Sequence, residues 1–384
     1  MIRENRRDMF VFLLLLNLAV YISFQSWSTI FNNFAVEKAS LDGFYMGLTQ
    51  SIREIPGFLS LLVILAIVVL PEHKLAVVSL IVLGFGIAVT GFLPSTTGVI
   101  ISTLIMSFGF HFFETVNQSL TLQYFNKLET PLVLSRLRSV AAGGNIAAGV
   151  LVIILLKFME YKYIFLVTGL LAVAAGIYCL KLNPIDSSLP AQKKKLQLKA
   201  KYWLYYALTF LSGARRQVFT AFSVFLMVEK FGFSTKEIAY LFIINNMTNF
   251  FFNPVIGKMV NKYGERRLLS IEYTTLTMVF IGYAFTDSKL LVALLYIIDN
   301  LVYSFVISIR TFYQKIAEPE DFANGSAMGF TINHIAAVFI PFAGGILWMV
   351  DRKIPFLIAA LLAFLSLVLA QFIPSELRKH QKQQ

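Results

Sequence analysis

One pattern recurs from end to end of the chain: an apolar run of the length that a helix needs to cross hydrocarbon, roughly 20 residues, followed by a short polar turn. Twelve such runs are present: Met9–Phe34, Phe44–Leu70, Leu75–Leu93, Gly98–Tyr124, Leu137–Phe158, Ile164–Leu182, Tyr202–Val228, Ile238–Val260, Leu268–Phe285, Leu290–Thr311, Phe322–Trp348 and Ile354–Ile373. The reading is an all-α integral membrane protein with twelve transmembrane helices. A hydrophobic share of 57% against 14% charged residues fits no ordinary soluble domain. The basic start MIRENRR could belong to a signal peptide, but the run behind it is too long and lacks a small-residue cleavage site. It is therefore the first span. The single cysteine, Cys179, lies in the sixth run, so no intrachain disulfide is expected.

The net charge of +12 invites a nucleic-acid partner, but topology accounts for it. With the N-terminus in the cytoplasm, 22 Lys and Arg fall on the inner side, 8 on the outer side and 3 (Arg53, Arg215, Arg216) within spans. This is the positive-inside bias. It makes the chain a multi-pass protein with both termini cytoplasmic and no nucleic acid as partner. The central KKKLQLKAK and the tail ELRKHQK are expected to meet anionic membrane lipids.

The longest polar interruption, Asn183–Lys201, falls between the sixth and seventh runs. The halves on either side show ordered matches: Val36-Glu37-Lys38 with Val228-Glu229-Lys230, EHKL (Glu72–Leu75) with ERRL (Glu265–Leu268), and NKLETP (Asn126–Pro131) with QKIAEP (Gln314–Pro319). Asn145 and Ala148 match Asn333 and Ala336, so the offsets are 192, 193 and 188. A six-span unit starts and ends on the same side, so its copy inserts in the same orientation, as a parallel repeat. The expected organisation is a six-helix bundle at 1–182, a basic cytoplasmic linker at 183–201, and a second bundle with a cytoplasmic tail at 202–384.

Between the eighth and ninth runs stands GKMVNKYGERR, Gly257–Arg267. It resembles the loop motif of the major facilitator superfamily, with Gly257, Lys262, Gly264, Arg266 and Arg267 in or near place and Asn261 where the family has Asp. The resemblance implies two pseudo-twofold-related six-helix bundles. It also implies that spans one, four, seven and ten line a central cavity, that two, five, eight and eleven form gates, and that the rest are peripheral. Gly257 would allow close helix approach, Gly264 a turn conformation barred to other residues, and the arginines would bind headgroups or cap helix C-termini. Asn261 can hydrogen-bond but adds no charge to the family's gating ion pair. The first-half counterpart, Pro71–Lys74, lacks both glycines, and the antiporter signature of span five is absent.

Charges deep in a bilayer cost about 2.5–3.5 kcal/mol on insertion scales and mark interiors or wet cavities. They occur in span two (Arg53, Glu54), four (His111, Glu114), seven (Arg215, Arg216), ten (Asp299) and eleven (His334). Spans three, six, nine and twelve read as lipid-facing, with Glu272 alone near the inner end of nine. Polar stripes at helical spacing add Asn17, Tyr21 and Gln25 in span one, Asn245 and Asn249 in span eight, and Tyr296 and Tyr303 in span ten. Adjacent Arg215 and Arg216 point about 100° apart. Arg216 shares a face with Thr209, Ser212, Gly213, Thr220 and Ser223, whereas Arg215 shares one with Leu208, Leu211, Phe219 and Phe222. Arg216 is the substrate-binding candidate, and Arg215 requires a neighbouring carboxylate. Arg53 and Glu54 are expected to pair with other helices or to mark a hinge beside Pro56.

These residues point to a secondary active transporter, working by alternating access in the cytoplasmic (inner) membrane as a monomer, without a cofactor or metal. Its small-molecule substrate would carry an anionic group held by Arg216, with Arg53, Asn17, Tyr21, Gln25, Asn245, Asn249, Tyr296 and Tyr303 as further contacts. Glu114, His111 and Asp299 would carry coupling protons, since such groups titrate near neutrality when desolvated or paired. Two rivals are a proton-coupled exporter of cationic or amphiphilic compounds held by Glu114 and Asp299, and a membrane receptor or embedded enzyme. Against an enzyme, Cys179 is isolated and the four histidines are not spaced as ligands. No phosphate-binding loop for a nucleotide-driven pump occurs.

Overall fold

The computed structural model describes residues 4–41, 43–186, 188–193 and 197–381. Part of the basic run of the linker, residues 194–196, therefore lies outside the described residues, as do the first three residues and the last three. The described chain is helical, without strands. The spans run Glu4–Glu37, Gly43–Val69, Glu72–Thr90, Thr96–Tyr124, Thr130–Leu155, Tyr161–Cys179, Trp203–Phe231, Thr235–Tyr263, Glu265–Phe285, Lys289–Ile316, Phe322–Val350 and Lys353–Ala370. A short helix, Ile373–Gln381, follows. Three spans are interrupted by another helical form. The second passes through a 3-10 turn at Leu59–Leu62, the seventh through a π-helical turn at Phe219–Ser223, and the tenth through a 3-10 turn at Tyr303–Val306.

The chain forms two compact units. The first holds residues 1–125, 137–197 and 319–331, and the second holds 126–136, 198–318 and 332–384. They follow the two halves of the sequence except at two places: the first turns of the fifth and eleventh spans each pack with the opposite half.

In the first unit the third span is the centre of packing, not a lipid-facing strip. Leu80, Leu83 and Ile87 are fully buried, and only isolated residues such as Phe85 reach the surface. Its backbone meets that of the sixth span so closely that a Cβ on Gly84 would lie 2.6 Å from the carbonyl oxygen of Gly169. Small residues at such crossings give van der Waals contact, which drives helix association in lipid. The second span leaves the α-helical ladder at Leu59–Leu62, beyond Pro56, whose missing N–H orphans only a carbonyl one turn before it. Leu61 N donates instead to Thr331 Oγ1 at 3.0 Å.

In the second unit a core of stacked aromatics lies between the seventh, tenth, eleventh and twelfth spans, with Phe222 on Trp348 and Phe219 on Tyr296. The ninth span shows lipid Ile271, Met278 and Phe285. Its opposite face is buried, and Glu272 on that face is 0% exposed. The expectation of a wholly lipid-facing ninth span is thus corrected: a carboxylate left in lipid would be too costly, and this one turns inward.

A similar polar tie occurs in both units. In the first unit Glu72 accepts from Ser119 Oγ at 2.6 Å and from Gln123 Nε2 at 2.7 Å. In the second unit Glu265 accepts from Thr311 Oγ1 at 3.0 Å and pairs with Lys315 Nζ at 2.6 Å. Lys315, which the match of NKLETP with QKIAEP aligns with Lys127, takes here the place that Gln123 has in the first unit, so the two ties are alike in chemistry and not in aligned position. Each unit therefore ties the start of its third helix to the last turns of its fourth by one carboxylate and two donors at i and i+4.

Candidate functional site

In the first unit polar side chains of spans one, two and four converge. Tyr21 OH donates to Glu114 Oε1 at 3.2 Å, and Tyr21 packs edge-on against Phe110, which is stacked on Phe24 at 4.4 Å. His111 is 6% exposed, and its ring nitrogen lies within 4.8 Å of a carboxylate oxygen of Glu54. Arg53 is satisfied by its chain neighbour Glu54 at 3.0 Å, in place of the expected partner on another helix. The two long side chains bend toward each other from adjacent positions of the helix, and Ser107 Oγ donates to the Arg53 carbonyl. Asn17 is not open to a ligand: it is 2% exposed, and its amide donates to Leu13 O at 2.7 Å and Asn117 Oδ1 at 2.9 Å. It serves as a tie between spans one and four. Gln25 is half-buried and donates to Thr29 Oγ1 at 3.4 Å.

In the second unit the arginine pair divides as the 100° rule requires. Arg215 is 2% exposed, with its guanidinium 4.4 Å over the ring of Tyr273 and 3.9 Å from Glu272 Oε1. Its Nε donates to Leu211 O at 3.2 Å. The neutralising carboxylate was not singled out in the sequence; the signal was a lone acidic residue in an otherwise apolar ninth span. Arg216 is half-buried and lies between two rings, 4.7 Å over Phe219 and 4.4 Å over Tyr303. Among the described residues no carboxylate lies within 4.0 Å of it, and its Nη1 is buried without a hydrogen bond.

The small polar face expected around Arg216 is only partly formed. The π turn begins three residues later and shifts the register, because one extra residue enters that turn. Ser223 is consequently 0% exposed and bonded to Phe219 O, and Thr220 turns outward onto Arg216 O at 2.8 Å. Aromatic faces replace the hydroxyls, and a desolvated guanidinium over such a face gains about 0.5–2 kcal/mol.

Around this pair stand Asp299, 2% exposed, on which Arg216 and then Arg215 act electrostatically, and Tyr296, stacked on Phe219 at 5.0 Å. Asn245 Oδ1 and Asp299 Oδ2 are buried without hydrogen-bond partners, and Asn249 accepts from Ser304 Oγ at 3.3 Å.

The loop motif behaves as its residue types require. A Cβ on Gly257 would lie 2.3 Å from Ser135 Oγ and 2.5 Å from Pro131 O, so the fifth and eighth spans meet there at backbone distance. Gly264 has φ +77° and ψ 161°, a conformation open essentially to glycine alone. Asn261 donates to Leu128 O at 2.7 Å, a neutral tie where the family pattern has a charge. Lys262 lies 5.2 Å over Tyr263. Arg266 donates to Gln371 at the C-terminal end of the twelfth span at 2.9 Å, while Arg267 is exposed.

A family model described as Major Facilitator Superfamily matches residues 9–341 and, in a second match, 208–384. Solved structures with the same fold include the human organic anion transporter MFSD10, at TM-score 0.80 and 12% identity, covering 95% of this chain and 99% of that one. A bacterial homologue of the iron transporter ferroportin in an outward-facing state gives 0.79 and 13%, with coverage of 96% and 99%. The transporter FucP in its outward conformation gives 0.76 and 15%, with coverage of 95% and 98%. At these identities they are similar in fold alone. No curated protein matches the sequence.

Proposed function

Because the chain belongs to the Major Facilitator Superfamily, a family of multi-pass membrane transporters, we propose that it moves a small organic anion by alternating access of its two six-helix bundles, 1–182 and 202–384, joined by 183–201. One observation carries the substrate class. Of two neighbouring arginines, Arg215 has Glu272 3.9 Å away, whereas half-buried Arg216 is held between two aromatic faces with no carboxylate within 4.0 Å of it among the described residues. A cation positioned in that way is complementary to a carboxylate or phosphate, which a guanidinium binds through two parallel N–H donors. Tyr303 and Phe219 orient Arg216, and Tyr296, Asn245 and Asn249 supply polar contacts for the rest of the ligand.

Coupling to protons is part of the proposal. Glu114 with Tyr21, His111 with Glu54, and Asp299 beside the arginines are groups whose charge a proton changes in place, and each lies in a span that the family uses to line its cavity. The membrane is proposed to be the cytoplasmic one, with the protein acting as a monomer.

A second reading has its own support. Glu114, beside the stacked Phe24 and Phe110, offers a carboxylate and an aromatic face, which is the chemistry that holds an amphiphilic cation. The experiment that separates the two is a thermal-stabilisation screen of purified protein with anionic and cationic metabolites, run beside Arg216→Gln. Stabilisation by anions that the variant loses supports the proposal. Stabilisation by cations alone, unchanged in the variant, refutes it in favour of the second reading. Ligand-driven proton flux in liposomes then tests coupling.

A further inference from the structure

In the first unit the third span begins at Glu72 and the sixth ends at Cys179, and a cavity of about 290 Å³ lies between these two helix ends. Its floor is made by Val77 and Cys179, each 1% exposed, and by His73, which is 8% exposed. Exposed Lys74 and Asn183 stand at its mouth. One water needs about 10–15 Å³, so the space admits a much larger group.

The polar side chains of this cavity are not engaged elsewhere. Among the described residues His73 makes no hydrogen bond through its ring, and Lys74 has no carboxylate within 4.0 Å. His73 and Lys74 belong to the first turn of the third helix, whose N–H groups have no partner inside the helix. Pro71, the residue before that turn, offers them no side-chain cap. The carboxylate of the turn, Glu72, is directed away, accepting from Ser119 and Gln123 of span four. The sixth helix brings its carbonyl end to the same cavity, and free carbonyls there would favour a cation. Those of Gly176, Tyr178 and Cys179, however, accept from Leu180 N, Lys181 N and Leu182 N. An ammonium, an imidazole, an amide and the positive end of a helix are thus left around one space. Such a set of donors suits a phosphate group.

We propose that this cavity binds a phosphate ester, with Lys74 and Asn183 at the mouth and His73 at the floor donating to the phosphate oxygens. Leu180 and Ile185, 50% and 46% exposed, extend the mouth as an apolar rim, which suits the acyl-glycerol part of a lipid in the adjoining leaflet. By the positive-inside bias this is the inner leaflet, the one that carries anionic lipids. A soluble phosphate ester presents the same oxygens, and the two sources are separated by experiment. The site is independent of Arg216 and of the transported solute.

Native mass spectrometry of the delipidated full chain in detergent measures binding of three probes: dioleoyl phosphatidylglycerol, dioleoylglycerol, which has the same chains without phosphate, and glycerol 3-phosphate. Phosphatidylglycerol is expected to bind the parent about tenfold more tightly than dioleoylglycerol, and Lys74→Gln to lose about tenfold, the worth of one charge-assisted hydrogen bond. Lys74 is exposed, so this variant keeps the fold. His73→Phe, which retains a ring and removes its donor, should weaken binding in the same direction. Lys181→Gln removes an equal charge from the same end without lining the cavity, and should lose less than about twofold. If glycerol 3-phosphate binds with the same dependence on Lys74, a soluble ester suffices as ligand; if only the lipid does, the site reads a headgroup together with its chains. Either result supports the site. It is overturned if neither phosphate-bearing probe binds more tightly than dioleoylglycerol, or if Lys74→Gln and Lys181→Gln lose equally, since the attraction would then belong to the basic surface as a whole.

Discussion

The division of labour between the two arginines can be tested by stability before any substrate is known. Glu272 and Arg215 are 0% and 2% exposed, so Glu272→Gln leaves a buried guanidinium without its counter-charge. Removing one member of such a pair costs about 3–5 kcal/mol, because the remaining ion is still desolvated. At about 2.1 cal/mol/K of unfolding entropy per residue, 384 residues give ~0.8 kcal/mol/K, so the Tm in detergent should fall by ~4–6 °C. The pair is loose, at 3.9 Å, and replacing both partners with apolar residues of similar volume should therefore cost much less than removing one. Arg215→Met with Glu272→Leu is expected to recover most of the loss. Arg216→Gln should leave the Tm near that of the parent and remove only stabilisation by anions. A nanoDSF comparison of the three variants decides the matter. A Glu272→Gln protein as stable as the parent, or an Arg216→Gln protein as unstable as Glu272→Gln is expected to be, would refute the assignment of one arginine to the fold and the other to the ligand.

Gly264→Ala should destabilise by about 1–3 kcal/mol, since φ +77° with ψ 161° is strained for any side chain; a Tm unchanged within error would show that the loop relaxes. Gly257→Leu would drive a side chain into Ser135 and Pro131, and overpacking of this kind costs about 1–3 kcal/mol; cysteine accessibility at Ser135→Cys should rise with it. At the polar ends of the second unit, the hydrogen bond from Lys289, with those from Ser234, holds Glu237 down at about 2 from an ordinary value of 4.5, and Lys230 lowers Asp287. Both shifts are downward, so their contribution to stability is complete above the ordinary carboxylate range and is lost as pH falls from about 4.5 toward about 2. Tm measured across that window should decline less in Glu237→Gln than in the parent, and equal slopes would exclude the contribution.

What the sequence made legible follows from which interactions are local. Span positions depend on apolar length, and all twelve were recoverable, although the first begins at Glu4 rather than Met9 because a helix continues past the apolar stretch that defines it. Gly257 and Gly264 were readable because only one residue type fits a backbone contact or a positive φ. The separation of Arg215 from Arg216 was readable because adjacent helical residues cannot share a face. The residues beside them were not, because a π turn at Phe219–Ser223 breaks the constant 100° step on which the helical wheel depends. Asn17 illustrates a further limit. A polar stripe in a span looks the same whether it faces a cavity or a neighbouring helix, and here Asn117, a hundred residues away, takes its amide. Glu272 was hidden for the opposite reason, since a single carboxylate in an apolar helix has no pattern to belong to. Its role depends on Arg215 in a different helix. Long-range partners of this kind decide which charges belong to the fold and which stay available to a ligand, and in the second unit that distinction separates two residues adjacent in sequence.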